Sequence, residues 1–320
     1  MIGSRRLAGL KLRARLYALI RGFFDERGVL EVETPMLSMA ANTEPNIESF
    51  STRFSGSPSA GPAERWLRTS AEFPLKRLLA SGVGDCYELG RVFRNGEAGR
   101  RHNPEFTMLE WYRRGWDHHR LMQETVALVE AALALVDRTA QVSSLTYRDL
   151  FLDCLQIDPF VAPLEVLRAP LQDWNIDTRN LERDDWLDLL ITHCIQPQFP
   201  WDRITLVRDW PASQCALSRI RPGDPPLAER FELYLGTHEL ANGYHELTDA
   251  VEQRARFEND NRRRQLRGQE MLPVDERLLA AMADGLPDCA GVALGIERLL
   301  MCLSGFEDIR DLLAFDFSEA

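Results

Sequence analysis

Three stretches of the sequence gather residues whose types and spacing could do chemistry. The first is FRNGEAGRRHNPEF, residues 93–106. Arg94 sits where a strand should end, just before a polar, glycine-bearing loop, and its planar fork suits a phosphate or a carboxylate. On the return strand Phe106, Met108, Glu110 and Tyr112 share one face by period two, and a carboxylate beside a phenol suits an ammonium group. The second stretch is ERFELYLGTHELANGYHELTD, residues 229–249. Glu232 and Glu239 would face opposite ways on one straight strand. A tight turn at Leu235-Gly236 instead pairs 232 with 239, setting two like charges across a hairpin, which is unfavourable. A divalent cation between them removes the conflict, and hard oxygen ligands suit Mg²⁺. Downstream, Asn242, Tyr244 and Glu246 share a face, which Glu239 joins only if the chain bulges at Asn242-Gly243. The third stretch is GVALGIERLL, residues 291–300. A glycine-bearing strand runs into a helix whose first turns carry Arg298, within reach of a phosphate. Alone this last pattern is weak.

The elements that must position these residues follow from periodicity. Leu7, Leu10, Leu12, Leu16, Leu19, Ile20, Phe23 and Phe24 have helical spacing, predicting a helix over 5–27 ended by Gly28. Val29 to Val32 leads into the extended Thr34-Pro35. Residues 55–63 are a loop of small residues. A short helix is expected at 75–79, strands at 86–94 and 105–112 joined by a loop at 95–103, and a helix at 121–136. Residues 139–180 are weakly periodic, contain three prolines and read as an insertion. A helix over 186–194, a strand at 204–207, a loop over 211–228, strands over 231–247, a helix over 251–266, a strand at 292–294 and a helix over 296–303 complete the chain. Hairpins with intervening helices predict an α+β fold around an antiparallel sheet flanked by helices.

Composition narrows the function classes. The chain has 320 residues, 45% hydrophobic and 27% charged, enough for a full core without staples. No apolar run is long enough for a transmembrane helix, and no secretory signal pattern follows the basic segment Met1 to Lys11, so a cytoplasmic protein is expected. The net charge of −11 makes generic nucleic-acid binding unattractive, because phosphate contacts need local positive charge. The arginine cluster at 262, 263, 264 and 267 reads as a solvated helix face. None of the six cysteines forms a C-x-x-C pair, which argues against structural zinc and for reduced core thiols. His118 and His119 lack ligand spacing and read as residues at a helix start.

Together with RGVLEVETPML near the N-terminus, these stretches resemble the class II aminoacyl-tRNA synthetases and their motifs 1, 2 and 3. RGVLEVETPML with Gly28 and Pro35 corresponds to motif 1, FRN…RHNPEFTMLEWY to motif 2 and the GIER segment to motif 3. HNPEFTMLEWY and ELANGYHELTDA resemble the lysyl-tRNA synthetase branch in particular. The resemblance spans nearly the whole chain, so one catalytic domain over 1–320 is expected. Motif 1 begins at Arg27, which leaves no room for the N-terminal anticodon-reading OB fold of lysyl-tRNA synthetases. The chain is therefore similar to the elongation factor P lysyltransferase family, stand-alone catalytic domains that activate (R)-β-lysine with ATP and transfer it to a lysine of elongation factor P. The resemblance implies a homodimer built on motif 1, elongation factor P as acceptor and tRNA as an unexpected one.

It also implies roles. Arg94 would bind the α-phosphate and Arg298 the γ-phosphate. Asn95, Gly96, His102, Asn103, Leu240 and Gly295 would line the ATP site, with Phe106 stacked on adenine. Glu232 and Glu239 would hold Mg²⁺. Ser70, Ala71 and Glu72 would flank the amino-acid substrate, with Glu72 at its reacting-end amine. Glu246 and Tyr112, with Glu110 nearby, would recognise the far ammonium, and Asn242 and Tyr244 would complete the pocket. The sequence departs from the family pattern at four places. Ala293 replaces a glycine, which reads as tuning against α-lysine. Gly96 stands where glutamate is usual, Ala71 where proline is usual and Tyr244 where phenylalanine is usual. Two other readings remain: a tRNA-charging enzyme without an anticodon domain, and an inactive regulatory paralogue. The presence of Arg94, Arg298, Glu232 and Glu239 speaks against the second.

Overall fold

A computed structural model describes residues 3–178 and 181–320. Met1, at the start of the basic N-terminal segment, and Arg179 and Asn180, at the end of the expected insertion, lie outside the described residues. The chain forms two compact units, Met1–Trp116 with Thr248–Ala320, and Asp117–Leu247.

The first unit opens with helix α1 (Ser4–Asp25), which buries Leu12, Leu16, Ile20, Phe23 and Phe24. These are the positions that helical spacing selects. The chain turns at Gly28, whose φ of 64° suits glycine, into strand β1 (Leu30–Glu31). Strands β2 (Leu37–Ser38), β3 (Ser51–Arg53) and β4 (Glu64–Leu67) form a small antiparallel sheet with β4 central. Helix α2 (Glu72–Ala80) is longer than expected, because Pro74 falls in its first turn, where a missing N–H costs nothing. Strands β5 (Cys86–Phe93) and β6 (Glu105–Arg114) form the expected long-loop hairpin, and β1 pairs β5 in parallel.

The second unit runs from α3 (His118–Ala134), capped by the Asp117 side chain, through β7 (Gln141–Thr146), α4 (Tyr147–Leu155), α5 (Leu164–Arg168) and α6 (Arg183–Leu190). Strands β8 (Arg203–Pro211), β9 (Ile220–Arg221), β10 (Leu227–Leu235) and β11 (His238–His245) follow. Their order is β11-β10-β8-β7, with β9 on β10; only β7 and β8 are parallel. The segment 139–180 supplies Tyr147, Leu150, Phe151 and Leu167 to a core shared with Trp186, Trp210 and Tyr234. Part of 211–228, expected as loop, is strand. β9 is held by pairing with the start of β10, which pairs in turn with β8, a non-local interaction that local composition does not carry.

The chain returns to the first unit through α7 (Ala250–Leu266), α8 (Glu276–Gly285), β12 (Cys289–Gly295) and α9 (Ile296–Ser304). α8 has no counterpart in the sequence reading. β12 is antiparallel to β6, which gives the order β1-β5-β6-β12. The buried Glu297 ties three elements together. Its Oε1 lies 2.8 Å from Arg13 Nη1 on α1, and its Oε2 accepts from the Thr107 N–H on β6 at 2.9 Å. This clasp fixes the start of α9, and so the base of Arg298. The α+β fold with its mainly antiparallel sheet is as expected.

Candidate active site

In the first unit the β5–β6 hairpin carries most of the expected residues. Arg94 follows β5, its N–H donating to the Pro104 carbonyl at 2.9 Å. Its guanidinium carbon lies 5.3 Å from the centroid of the Phe106 ring, which keeps the fork over an aromatic face. Arg94 Nε is buried and has no hydrogen-bond partner among the described residues, and Nη1 is 3.8 Å from Glu97. Gly96 adopts φ 83°, so the family's usual glutamate would be strained in this turn. Across the hairpin Arg298 Nη2 donates to His102 Nε2 at 2.9 Å. The expected phosphate-binding arginine of motif 3 thus meets a motif 2 residue directly. Asn103 is used structurally: its amide donates to the Glu105 carbonyl at 2.6 Å and accepts from the Phe317 N–H at 3.0 Å.

Farther along β6 the pleat places Glu110 and Tyr112 on one face, both buried. Glu110 does more than wait for an ammonium. Its two oxygens accept from Ser70 Oγ and from the Ala71 N–H, each at 2.6 Å. Burial pushes its carboxyl up to about 7, although both hydrogen bonds pull it down. Ser70 Oγ in turn accepts from the Glu72 N–H at 3.0 Å. The Ser70-Ala71-Glu72 turn therefore holds its shape through Glu110. Glu72 Oε1 lies 2.6 Å from Lys76 Nζ, one turn on along α2. On the neighbouring strand the register sets Gly291 opposite Tyr112 and Ala293 opposite Glu110. The methyl that distinguishes Ala293 from glycine thus stands beside the site's carboxylate. Gly295 precedes α9 with no obstruction near it except the Arg298 stem.

In the second unit the hairpin register differs from the expected one. The turn is at Gly236-Thr237, because Leu235 pairs with His238 and Gly236 takes φ 55°. Tyr234 pairs with Glu239, Leu233 with Ala241 and Glu232 with Asn242, so the extra residue is Leu240. Glu232 and Glu239 are therefore not directly opposite, and the bulge lies at Leu240 rather than at Asn242-Gly243. The bulge restores parity, so that Arg230, Glu232, Tyr234, Glu239, Asn242 and Tyr244 share one face. Glu232 is buried, with Arg230 Nη2 and the Tyr234 hydroxyl both donating to it at 2.5 Å. Burial and the like charge of Glu239 push its carboxyl up against the pull of Arg230. Arg230 also donates to Asn242 Oδ1 at 3.3 Å and to the Gln214 carbonyl at 2.9 Å, and lies 4.0 Å from the Trp210 ring. Glu246 is fully buried just beyond β11, bridged to Ser218.

Sequence reasoning did not single out Lys76, Arg230, Tyr234 or the Arg68–Glu88 pair. Lys76 had a signal. It is one of only two lysines and stands at i+4 from Glu72, the spacing of a helical ion pair. Arg68 Nη2 lies 2.6 Å from Glu88, and Thr34 of motif 1 donates to the same carboxylate at 2.7 Å. Gly90 is small for this reason, since a Cβ there would approach Arg68 Nη2 to 2.5 Å. That triad joins residues far apart in sequence, and no local pattern marks it.

Comparison with known proteins shows the family of the chain. The family described as tRNA synthetases class II (D, K and N) matches residues 3–318. The elongation factor P–(R)-beta-lysine ligase of Proteus mirabilis is 47% identical over 315 residues, covering 98% of this chain and 96% of the relative. The enzymes of the same name from Salmonella typhi and Yersinia enterocolitica are 46% and 47% identical over 320 residues, each covering 99% of this chain and 97% of the relative. By family match and by near-full-length identity, the chain belongs to the class II tRNA synthetases (D, K and N).

Proposed function

We propose that the chain is an ATP-dependent ligase that activates (R)-β-lysine as its adenylate and transfers it to a lysine side chain of elongation factor P. The observation that carries the reading is the motif 2 hairpin, in which Arg94 lies over Phe106 and Arg298 meets His102, within a chain whose relatives bear that enzyme name. In the first step a carboxylate oxygen of the amino acid attacks the α-phosphorus of ATP, and pyrophosphate leaves. The nucleophile is already charged, so no general base is required. Positioning and stabilisation of charge on the phosphoryl oxygens suffice. Arg94 would supply that stabilisation at the α-phosphate and Arg298 would hold the γ-phosphate. Asn95, Gly96, His102, Asn103 and Gly295 would frame the nucleotide in the first unit. In the second step a neutral lysine amine attacks the adenylate carbonyl and AMP departs.

The amino acid would be read by carboxylates. The turn Ser70-Ala71-Glu72, fixed by Glu110, would face its reacting-end amine. In the second unit Glu246, Asn242 and Tyr244 would contribute to recognition of the far ammonium, which needs a paired carboxylate once desolvated. Glu232 and Glu239 suit Mg²⁺. Both offer hard oxygen ligands on one face of the β10–β11 hairpin, and a cation there would offset the like charge of Glu239, which after burial pushes the Glu232 carboxyl up. Bound there, the ion would neutralise the charge of the two carboxylates. Among the described residues no helix is long and apolar enough to cross a membrane. A cytoplasmic homodimer joined through motif 1 is part of the same proposal.

The test is the intact mass of purified elongation factor P after incubation with the protein, ATP, Mg²⁺ and (R)-β-lysine, beside a tube with α-lysine. A gain of one lysyl residue, faster with the β-isomer, is expected. ATP consumption without any gain would move the acceptor to tRNA or elsewhere. Arg94→Ala should reduce adenylate formation, read by pyrophosphate exchange, by about 100- to 1000-fold.

A further inference from the structure

His118, Glu229 and His245 come together in the second unit although nothing in their spacing suggests it. His118 opens α3, Glu229 lies on β10 and His245 ends β11. One ligating atom from each can be chosen so that all three lie within 4.8 Å of one another. His245 Nδ1 is 2.6 Å from Glu229 Oε2. His118 is almost fully buried, and neither of its ring nitrogens has a hydrogen-bond partner among the described residues. A buried imidazole with two unused polar atoms is costly unless something occupies it. Nothing in the proposed ligase chemistry uses these three residues.

We propose that His118, Glu229 and His245 form a binding site for one transition-metal ion of the Zn²⁺ class, distinct from the carboxylates Glu232 and Glu239. Two imidazoles and one carboxylate are a zinc-type donor set, with a fourth position left for water. The ligands must be uncharged imidazole and ionised carboxylate. His118 meets the first condition, since burial pushes it down to about 4. Arg221 Nη1 lies 3.8 Å from the other oxygen of Glu229, and its Nη2 is held at 2.6 Å by Asp209. That guanidinium orients the carboxylate, as outer partners of metal ligands do. Two neutral imidazoles and one carboxylate would leave the site with one net positive charge, which Asp209 and Asp117 sit close enough to temper.

The competing arrangement on the same residues is a plain ion pair. A protonated His245 would bond Glu229, and His118 would pack against the His119 ring, 4.0 Å away between centroids. The two differ in what His118 does. In the ion pair it is a spacer. In the metal site it is a ligand and its removal abolishes binding.

The experiment uses the full chain, stripped with a chelator and titrated with Zn²⁺ against a chromophoric competitor, then with Co²⁺ for its visible spectrum. One ion per chain is expected. His118→Ala and His245→Ala should each weaken binding by about 100-fold or more, while His119→Ala should leave it unchanged. The wild type should also melt higher with Zn²⁺ present, by linkage, and His118→Ala should not. His118→Gln, which keeps most of the volume, covers the case in which the alanine variant does not fold. Equal Zn²⁺ affinity in wild type and His118→Gln would overturn the proposal. So would binding that persists in the His118 variants but is lost in Glu239→Gln, or a Co²⁺–thiolate band, which would place the ion on a cysteine.

Discussion

Glu110 in the first unit and Glu232 in the second are both buried carboxylates on central strands, and both are pushed upward in pKa by burial. They differ in what satisfies them. Glu110 accepts from a hydroxyl and a backbone N–H, two neutral donors on a turn. Glu232 accepts from a guanidinium and a phenol, with a second carboxylate beside it. Neutral donors let a carboxyl change protonation state without leaving an uncompensated charge behind. A buried arginine does not, because a neutral Glu232 would leave Arg230 as an unpaired charge. Glu110 is thus built to hold a turn in place, whereas Glu232 is one pole of an ion pair with Arg230, which also donates to Asn242.

The contrast can be broken by experiment. The largest effect is expected from Glu232→Gln. It strands the Arg230 guanidinium, and the unfolding free energy should fall by about 3–5 kcal/mol in denaturant titration. Glu110→Gln should cost less, about 1–3 kcal/mol, because it weakens hydrogen bonds between neutral partners without isolating a charge. It should raise KM for the amino acid more than it lowers kcat, since it loosens the Ser70-Ala71-Glu72 turn. A larger stability loss for Glu110→Gln than for Glu232→Gln would erase the distinction.

The pH dependence sharpens it further. Glu110 has a folded-state pKa of about 7 against an ordinary carboxyl value of 4.5. Its stabilising contribution is complete below about 4.5 and is lost as pH rises through about 7. Melting temperatures across pH 4.5–8 should therefore fall less steeply for Glu110→Gln than for the wild type. Identical slopes would show that Glu110 titrates normally. The smallest effect is expected at Ala293, opposite Glu110 on β12. Ala293→Gly removes one methyl beside that carboxylate. Activation of α-lysine relative to (R)-β-lysine should rise by about tenfold, the scale of a single pocket methylene. An unchanged ratio would remove Ala293 from substrate selection.

Much of the fold was legible because it is local. The apolar stripe of α1, the hairpin of β5 and β6 and the glycine strand leading into α9 are all periodic patterns within a few turns of chain. The single face shared by Phe106, Met108, Glu110 and Tyr112 follows from an unbroken pleat. The hairpin of β10 and β11 was only half legible. Its existence follows from Gly236 between two apolar runs, but its register depends on the Leu240 bulge. One extra residue on a strand reverses the facing of everything beyond it, so a small local choice changes which carboxylates meet.

The sequence by itself determined which residues could bind phosphate, cation and ammonium, and which short elements carry them, because side-chain chemistry and backbone period are properties of the local chain. Only the tertiary structure decided how those residues are used. It assigned Glu110 to the Ser70 turn, Lys76 to Glu72, Arg230 to Glu232 and His118 to the company of Glu229 and His245. The last grouping joins residues from one helix and two strands, and burial holds the His118 imidazole low in pKa. Burial is a property of the packed core, to which every part of the chain contributes, and no stretch of sequence records it alone.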